Sequence, residues 1–265
     1  MHSDAHLFAS ALGLRVSSAE RLGERAVELG RLGDTEVLED GGTLTTWRDA
    51  SRASLAVYQD EDGRVQTVLP FLDGAREQRA VLVEVLGLRD DPDSSLIFDL
   101  LGPDMKPVKR VAILAQDYYV NRDRLQRDAP MQVSIAGHAR KYVVRAPGAP
   151  TRLEELGDAP TKLVATGLVA HKQGRSGFCP ARVLLRAEIQ TAEARMNREC
   201  HEQFQRARVR CEGLTLDLVA PLEDERPGKV FQPGTIVEGS FVLLGTVDPA
   251  HHDYTMPLIR ATPKV

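Results

Sequence analysis

Apolar and polar residues alternate through most of this chain, and a period of two announces strands. Leu55 and Val57 share a face in the run 54–59, the turn Asp60-Glu61-Asp62-Gly63 follows, and residues 64–69 resume the alternation. Two such runs around a four-residue turn predict a β-hairpin. The β-branched and aromatic run 43–48 predicts a strand just before it. Further short strands are expected at 81–85, 95–100, 108–115, 131–136 and 141–145, with Pro92, Pro103, Pro107 and Pro130 between them. Residues 81–85 also fit a helix, and only their β-branching favours a strand.

A helical period rules only the first 33 residues. Leu22, Ala26 and Leu29 recur at i, i+4 and i+7, after a capping box spelled Ser17-Ser18-Ala19-Glu20 and before a stop at Gly30. Leu7, Phe8, Ala11 and Leu12 predict a shorter helix upstream.

Beyond residue 146 the pattern turns β again. Strands are expected at 162–171, at 204–220 with a bulge at Gly213, and at 235–247. Gly239 and Gly245, inside the last run, mark a bend or a close backbone approach. Residues 182–201 fit a helix through Leu185, Ile189, Ala192 and Met196, or half of a hairpin through Leu185, Ala187 and Ile189. The firm strand after them needs a neighbour, which favours the hairpin.

Pro and Gly are dense over 146–160, where a domain boundary is expected. The fold class is then mainly β (α+β) in three parts: a helical segment over 1–33, an antiparallel β-sheet domain over 34–146, and a small β-barrel over 161–265. Five curved strands with internal glycines make that last part similar in architecture to an OB-fold. It departs from the pattern at 223–233, which shows no helical period where an OB-fold usually carries a helix.

Composition narrows the class further. The chain has 265 residues, a formal net charge of −4 and an apolar fraction of 42%, enough for a core and against disorder. No apolar run is long enough for a membrane helix. The beginning, Met1-His2-Ser3-Asp4, does not read as a secretory signal. Three cysteines, Cys179, Cys200 and Cys211, imply no disulfide framework, so reduced thiols in a bacterial cytoplasm are expected. The bacterial source is inferred from arginine's excess over lysine, which supplies seven of the 34 basic residues.

Candidate chemistry is sparse. The nucleophile elbow, the P-loop and the dinucleotide-binding glycine pattern are all missing. His171, Cys179, Cys200, His201 and Cys211 lack paired metal-ligand spacing, and Cys211 reads as a core residue. His251-His252-Asp253 reads as an exposed loop. No metal and no cofactor is expected.

Two functions remain. The first is a non-enzymatic binding protein whose partner is a protein or an oligonucleotide. Arg206, Arg208 and Arg210 would form its basic stripe, opposite Ala207, Val209 and Cys211. The second is a hydrolase or isomerase whose acid–base site draws on Asp117, Tyr119, His138 and His171 at the domain junction. Exposed edge strands allow a homo-oligomer.

Overall fold

The computed structural model describes residues 5–87, 94–175, 178–222 and 228–248; the His251-His252-Asp253 triplet lies outside them. Helix α1 is Ala5–Ser10 and α2 is Ala19–Gly30. The α2 N-cap is Ser18, whose hydroxyl accepts the Arg21 amide at 3.2 Å. The cap therefore sits one residue later than the expected box, with arginine rather than glutamate at the third helical position. Leu22, Ala26 and Leu29 are buried, as their spacing predicts.

Strands β1 (Asp34–Val37), β2 (Thr43–Arg48), β3 (Ala53–Gln59) and β4 (Val65–Leu72) form an antiparallel four-stranded sheet in chain order. The predicted hairpin is β3–β4. Trp47, Leu55, Val57 and Val68 on one face of this sheet pack against Leu22, Ala26 and Leu29 of α2.

All later strands join a second, mixed sheet. They are β5 (Glu77–Leu86), β6 (Ser95–Leu101), β7 (Pro107–Ala115), β8 (Pro130–Arg145), β9 (Lys162–Val164), β10 (Arg182–Asn197), β11 (Glu202–Cys211), β12 (Leu214–Pro221) and β13 (Ile236–Asp248). Their order is β11-β12-β8-β5-β6-β7-β13-β10-β9, with β11 also paired to β10 and β8 to β13. The first extra pairing closes eight of the nine strands into a ring. The second divides that ring into two circuits of five strands that share the long β8/β13 ribbon.

One apolar core runs through both circuits, from Leu82, Phe98 and Ile113 to Val209, Leu216 and Phe241. The circuit containing β10–β13 is closed only by β8. The stretch 161–265 thus does not make a barrel by itself, because β12 and β13 both use β8 as a neighbour. The loop over 146–160 is fixed to the ribbon. Arg186 bonds Glu238 at 2.6 Å and also donates to the carbonyls of Ala149 and Pro160. Burial works to raise the Glu238 carboxyl, but bonds from Arg152, Thr151 and Arg186 hold it below the usual carboxylate value.

Several elements correct the expectations. Residues 131–136 and 141–145 belong to one strand, β8, because β13 pairs along both and through Gly137, with a single register shift at Arg140. The run 204–220 is two strands rather than one bulged strand. Glu212 and Gly213 have φ of 48° and 83°, and Cys211 pairs with Leu214 across them. A two-residue loop with both φ positive is the turn that matches strand twist. The expected strand over 162–171 stops at Val164 and gives way to α4 (Thr166–Lys172), after α3 (Tyr118–Asn121). Leu168 of α4 packs on Ile97 and Ala112, and this packing outweighs the β-branched run. Residues 182–197 are strand, so β10–β11 is the favoured hairpin. Gly239 and Gly245 mark close approaches: a side chain there would strike the Lys141 and Ser134 carbonyls of β8.

Candidate ligand-binding groove

Position in the register decides the fate of the basic stripe. Across β10, β11 and β12, Thr191, Arg208 and Asp217 lie in one row, and Glu193, Arg206 and Val219 lie in the next. Ala207, Val209 and Cys211 point into the core, so the arginines face outward as alternation requires. That outer face is largely covered. Phe204 and Val219 lie under Ala11, Leu12, Ala53, Leu72 and Ala75, which come from the N-terminal part of the chain. Arg206 is consequently 8% exposed and Asp217 is 0% exposed.

Acidic residues on the flanking strands meet each arginine. Arg206 donates to Asp217 at 3.0 Å and to Glu193 at 3.4 Å. Arg210 donates to Glu188 at 2.8 Å. Arg208 alone is incompletely matched. Its Nε approaches Asp217 Oδ1 to 3.5 Å without hydrogen-bond geometry, and both atoms are buried without a hydrogen-bond partner. The other oxygen, Asp217 Oδ2, accepts the Arg76 amide at 2.7 Å.

Two cavities meet at Arg208. One, of about 240 Å³, is lined by Thr191, Ala192, Glu193, Arg206, Arg208 and Asp217. It opens beside the irregularity in β10 between Ile189 and Thr191, and bulges commonly re-aim side chains at sites. The other, of about 530 Å³, is lined by residues 74–79, Gln132 and Arg208. Arg76 and Arg79 are exposed there, and no ion pair holds the Arg76 guanidinium among the described residues. Arg76, Arg79 and Arg208 line it together with Glu77, Gln78 and Gln132; Arg208 is also ion-paired to Asp217 at 3.5 Å, and Arg79 donates to the Met105 sulfur at 3.3 Å. The groove can therefore neutralise an anion and orient it through amides.

The four acid–base candidates are scattered. Asp117 accepts the Val247 amide at 2.9 Å and Asn121 Nδ2 at 3.1 Å. Tyr119 donates to Asp40, joining α3 to the β1–β2 turn, and Arg122 lies 4.0 Å over its ring. Burial, then the Asp40 carboxylate, push the Tyr119 hydroxyl up, and its hydrogen bond holds Asp40 low.

His138 is fully buried on β8, beneath α1, with Nδ1 3.1 Å from the Phe8 carbonyl. A carbonyl only accepts, so Nδ1 carries the proton. Nε2 is buried without a partner, and burial lowers the imidazole to about 4. His138 pairs with Val242 of β13, five residues from Val247, which Asp117 holds. That is roughly 17 Å of strand at ~3.4 Å per residue, beyond hydrogen-bond reach. His171 is exposed on α4. Asp117 and Tyr119 lie together by sequence, and His138 does not join them.

The groove residues Arg76, Arg79, Gln132 and Asp217 escaped the sequence reading. Asp217 did leave a signal, as a lone carboxylate in the apolar run 214–220. Reading Glu212-Gly213 as a two-residue turn places it directly opposite Arg208. The chain matches no protein-family model, no curated protein and no solved structure.

Proposed function

We propose that this is a non-enzymatic binding protein that takes a phosphate-bearing ligand, a single-stranded oligonucleotide, in the groove formed by Arg76, Arg79 and Arg208. The carrying observation is the convergence of these arginines, from two distant segments, on one cavity of about 530 Å³. Arg206 and Arg210 are held by Asp217 and Glu188 and do not line this cavity, so Arg208 is the member of the stripe that faces ligand. The hydrolase or isomerase alternative is the less favoured reading, since His138 is fully buried and beyond hydrogen-bond reach of Asp117.

Phosphate binding releases counterions, so affinity should fall steeply with salt. The test is titration of a labelled oligothymidylate at low and moderate salt. Exchanging Arg76 and Arg79 for glutamine should weaken binding about tenfold and flatten the salt dependence, each contact contributing about one unit of slope. Unchanged binding in the double variant would overturn the proposal.

A further inference from the structure

Building on that reading, we infer that Arg52 extends the groove by a second phosphate position, so that one strand is held at two neighbouring phosphates. Arg52 is exposed in the turn between β2 and β3, on a third segment of the chain. Its guanidinium takes the space that a side chain at Gly74 would fill; a Cβ built there would stand 3.4 Å from Arg52 Cζ. Gly74 lines the cavity of about 530 Å³, and Arg76 follows it by two residues. Two residues span at most about 7 Å of extended chain, a distance that neighbouring phosphates of one strand can bridge.

The turn itself has no use for an arginine. It is closed by main-chain bonds of 2.8 Å, from the Arg52 amide to the Asp49 carbonyl and from the Asp49 amide to the Ala53 carbonyl. The Asp49 carboxylate and the Ser51 hydroxyl accept the Ser51 and Ala53 amides at 2.6 and 3.3 Å. Arg52 has φ of 70°, in the left-handed region that glycine occupies at least cost. A side chain kept there carries backbone strain, and such residues cluster at ligand clamps. The Arg52 carbonyl accepts the Asp73 amide at 2.8 Å, which fixes the turn against the segment leading to Arg76.

Charge points the same way. No hydrogen bond or ion pair holds the Arg52 guanidinium among the described residues. Nearby carboxylates are engaged elsewhere. Asp49 serves its own turn and accepts the Arg198 amide at 3.2 Å, and Asp73 faces Arg48 at 4.0 Å. Arg52, against Gly74, and Arg76, two residues on, are thus two cations that the protein leaves unneutralised. A bound phosphodiester relieves their repulsion, and the guanidinium fork suits its oxygens.

The experiment titrates a labelled oligothymidylate against the intact protein, Arg52→Gly and Arg52→Lys at low and moderate salt, and follows the thermal unfolding of each. Glycine relieves the positive φ, so Arg52→Gly should unfold about 2–4 °C higher. The same variant should bind about threefold more weakly, the worth of one exposed charge pair, and lose about one unit of salt slope. Higher stability together with weaker binding separates a lost contact from misfolding. Arg52→Lys keeps both the charge and the strained backbone, so it should keep the wild-type midpoint and slope. Unchanged affinity and slope in Arg52→Gly, with weaker binding in the Arg76 and Arg79 double variant, would overturn the second position and leave the groove standing. Unchanged binding in both would overturn the groove as well. A lower midpoint in Arg52→Gly would assign Arg52 to holding the turn and overturn the inference. Binding of oligoglutamate in place of the oligonucleotide would replace both readings with an acidic protein partner.

Discussion

His138 shows what one buried residue can impose. Its imidazole is fully enclosed between β8 and α1, neutral, and tied to the Phe8 carbonyl. Burial lowers it to about 4. An unfolded histidine titrates near about 6.5. Between these values the unfolded chain binds the extra proton, so stability falls as pH drops from about 6.5 towards 4. The loss at the acid end is about 3 kcal/mol by linkage. Urea unfolding at pH 7 and pH 4.5 should show this slope. His138→Gln keeps a donor for the carbonyl and cannot titrate, so it should flatten the dependence; an unaltered slope would assign the acid sensitivity to other groups. The same burial explains why this histidine makes a poor general base. It is walled off beneath α1, with no accessible surface of its own.

At the scale of elements, the β11–β12 turn is decisive. Glu212 and Gly213 both adopt positive φ, and the tight turn brings Asp217 opposite Arg208. Nothing lies within 4 Å of a side chain added at Gly213, so a substitution there meets only backbone strain. Gly213→Ala should cost about 1 kcal/mol, and thermal unfolding would measure it. A neutral result would mean that the turn relaxes. Glu212 is also engaged: its carboxylate accepts the Leu163 amide at 2.9 Å and pairs with Lys109 at 2.8 Å. One short turn thus fixes a strand register, anchors β9 and aligns the row that forms the smaller cavity. The register follows from local chemistry, since a one-residue slip would turn Asp217 into the apolar core.

Across the whole molecule, the β8/β13 ribbon is the shared wall of both strand circuits. β13 finds antiparallel partners in β8 and β10, and β12 finds a parallel one in β8. Residues 161–265 expressed alone would expose those edges and part of the continuous core. The expected outcome is a fragment without a cooperative unfolding transition, checked by calorimetry or urea denaturation. A cooperative transition in that fragment would show that it folds without β8. Among the described residues no helix is long and apolar enough to cross a membrane.

The N-terminal part has a second consequence at this scale. α1 and the segment after β4 cover the outer face of β8, β11 and β12. They turn what would be a solvated stripe into a buried Arg206–Asp217 pair beside an open groove.

The alternation of side chains, the positions of turns and the amphipathic stripe of α2 were legible in the sequence. Each depends on residues close together in the chain, where period and sterics act directly. The hairpin over 54–69, the strand at 95–100 and the outward arginines of β11 all follow from that local order. The helix at 166–172 did not, because packing of Leu168 against distant strands outweighed local preference. Nor did the groove, which joins Arg76 and Arg79 at the start of β5 to Arg208 on β11, more than a hundred residues away. By itself the sequence determined a mainly β chain and which face of each strand is apolar, since those are one-dimensional properties. Which strands became neighbours, which arginines met carboxylates and which came to line a cavity were decided only by the tertiary structure. Pairing partners and burial depend on long-range closure, and a local pattern carries no record of it.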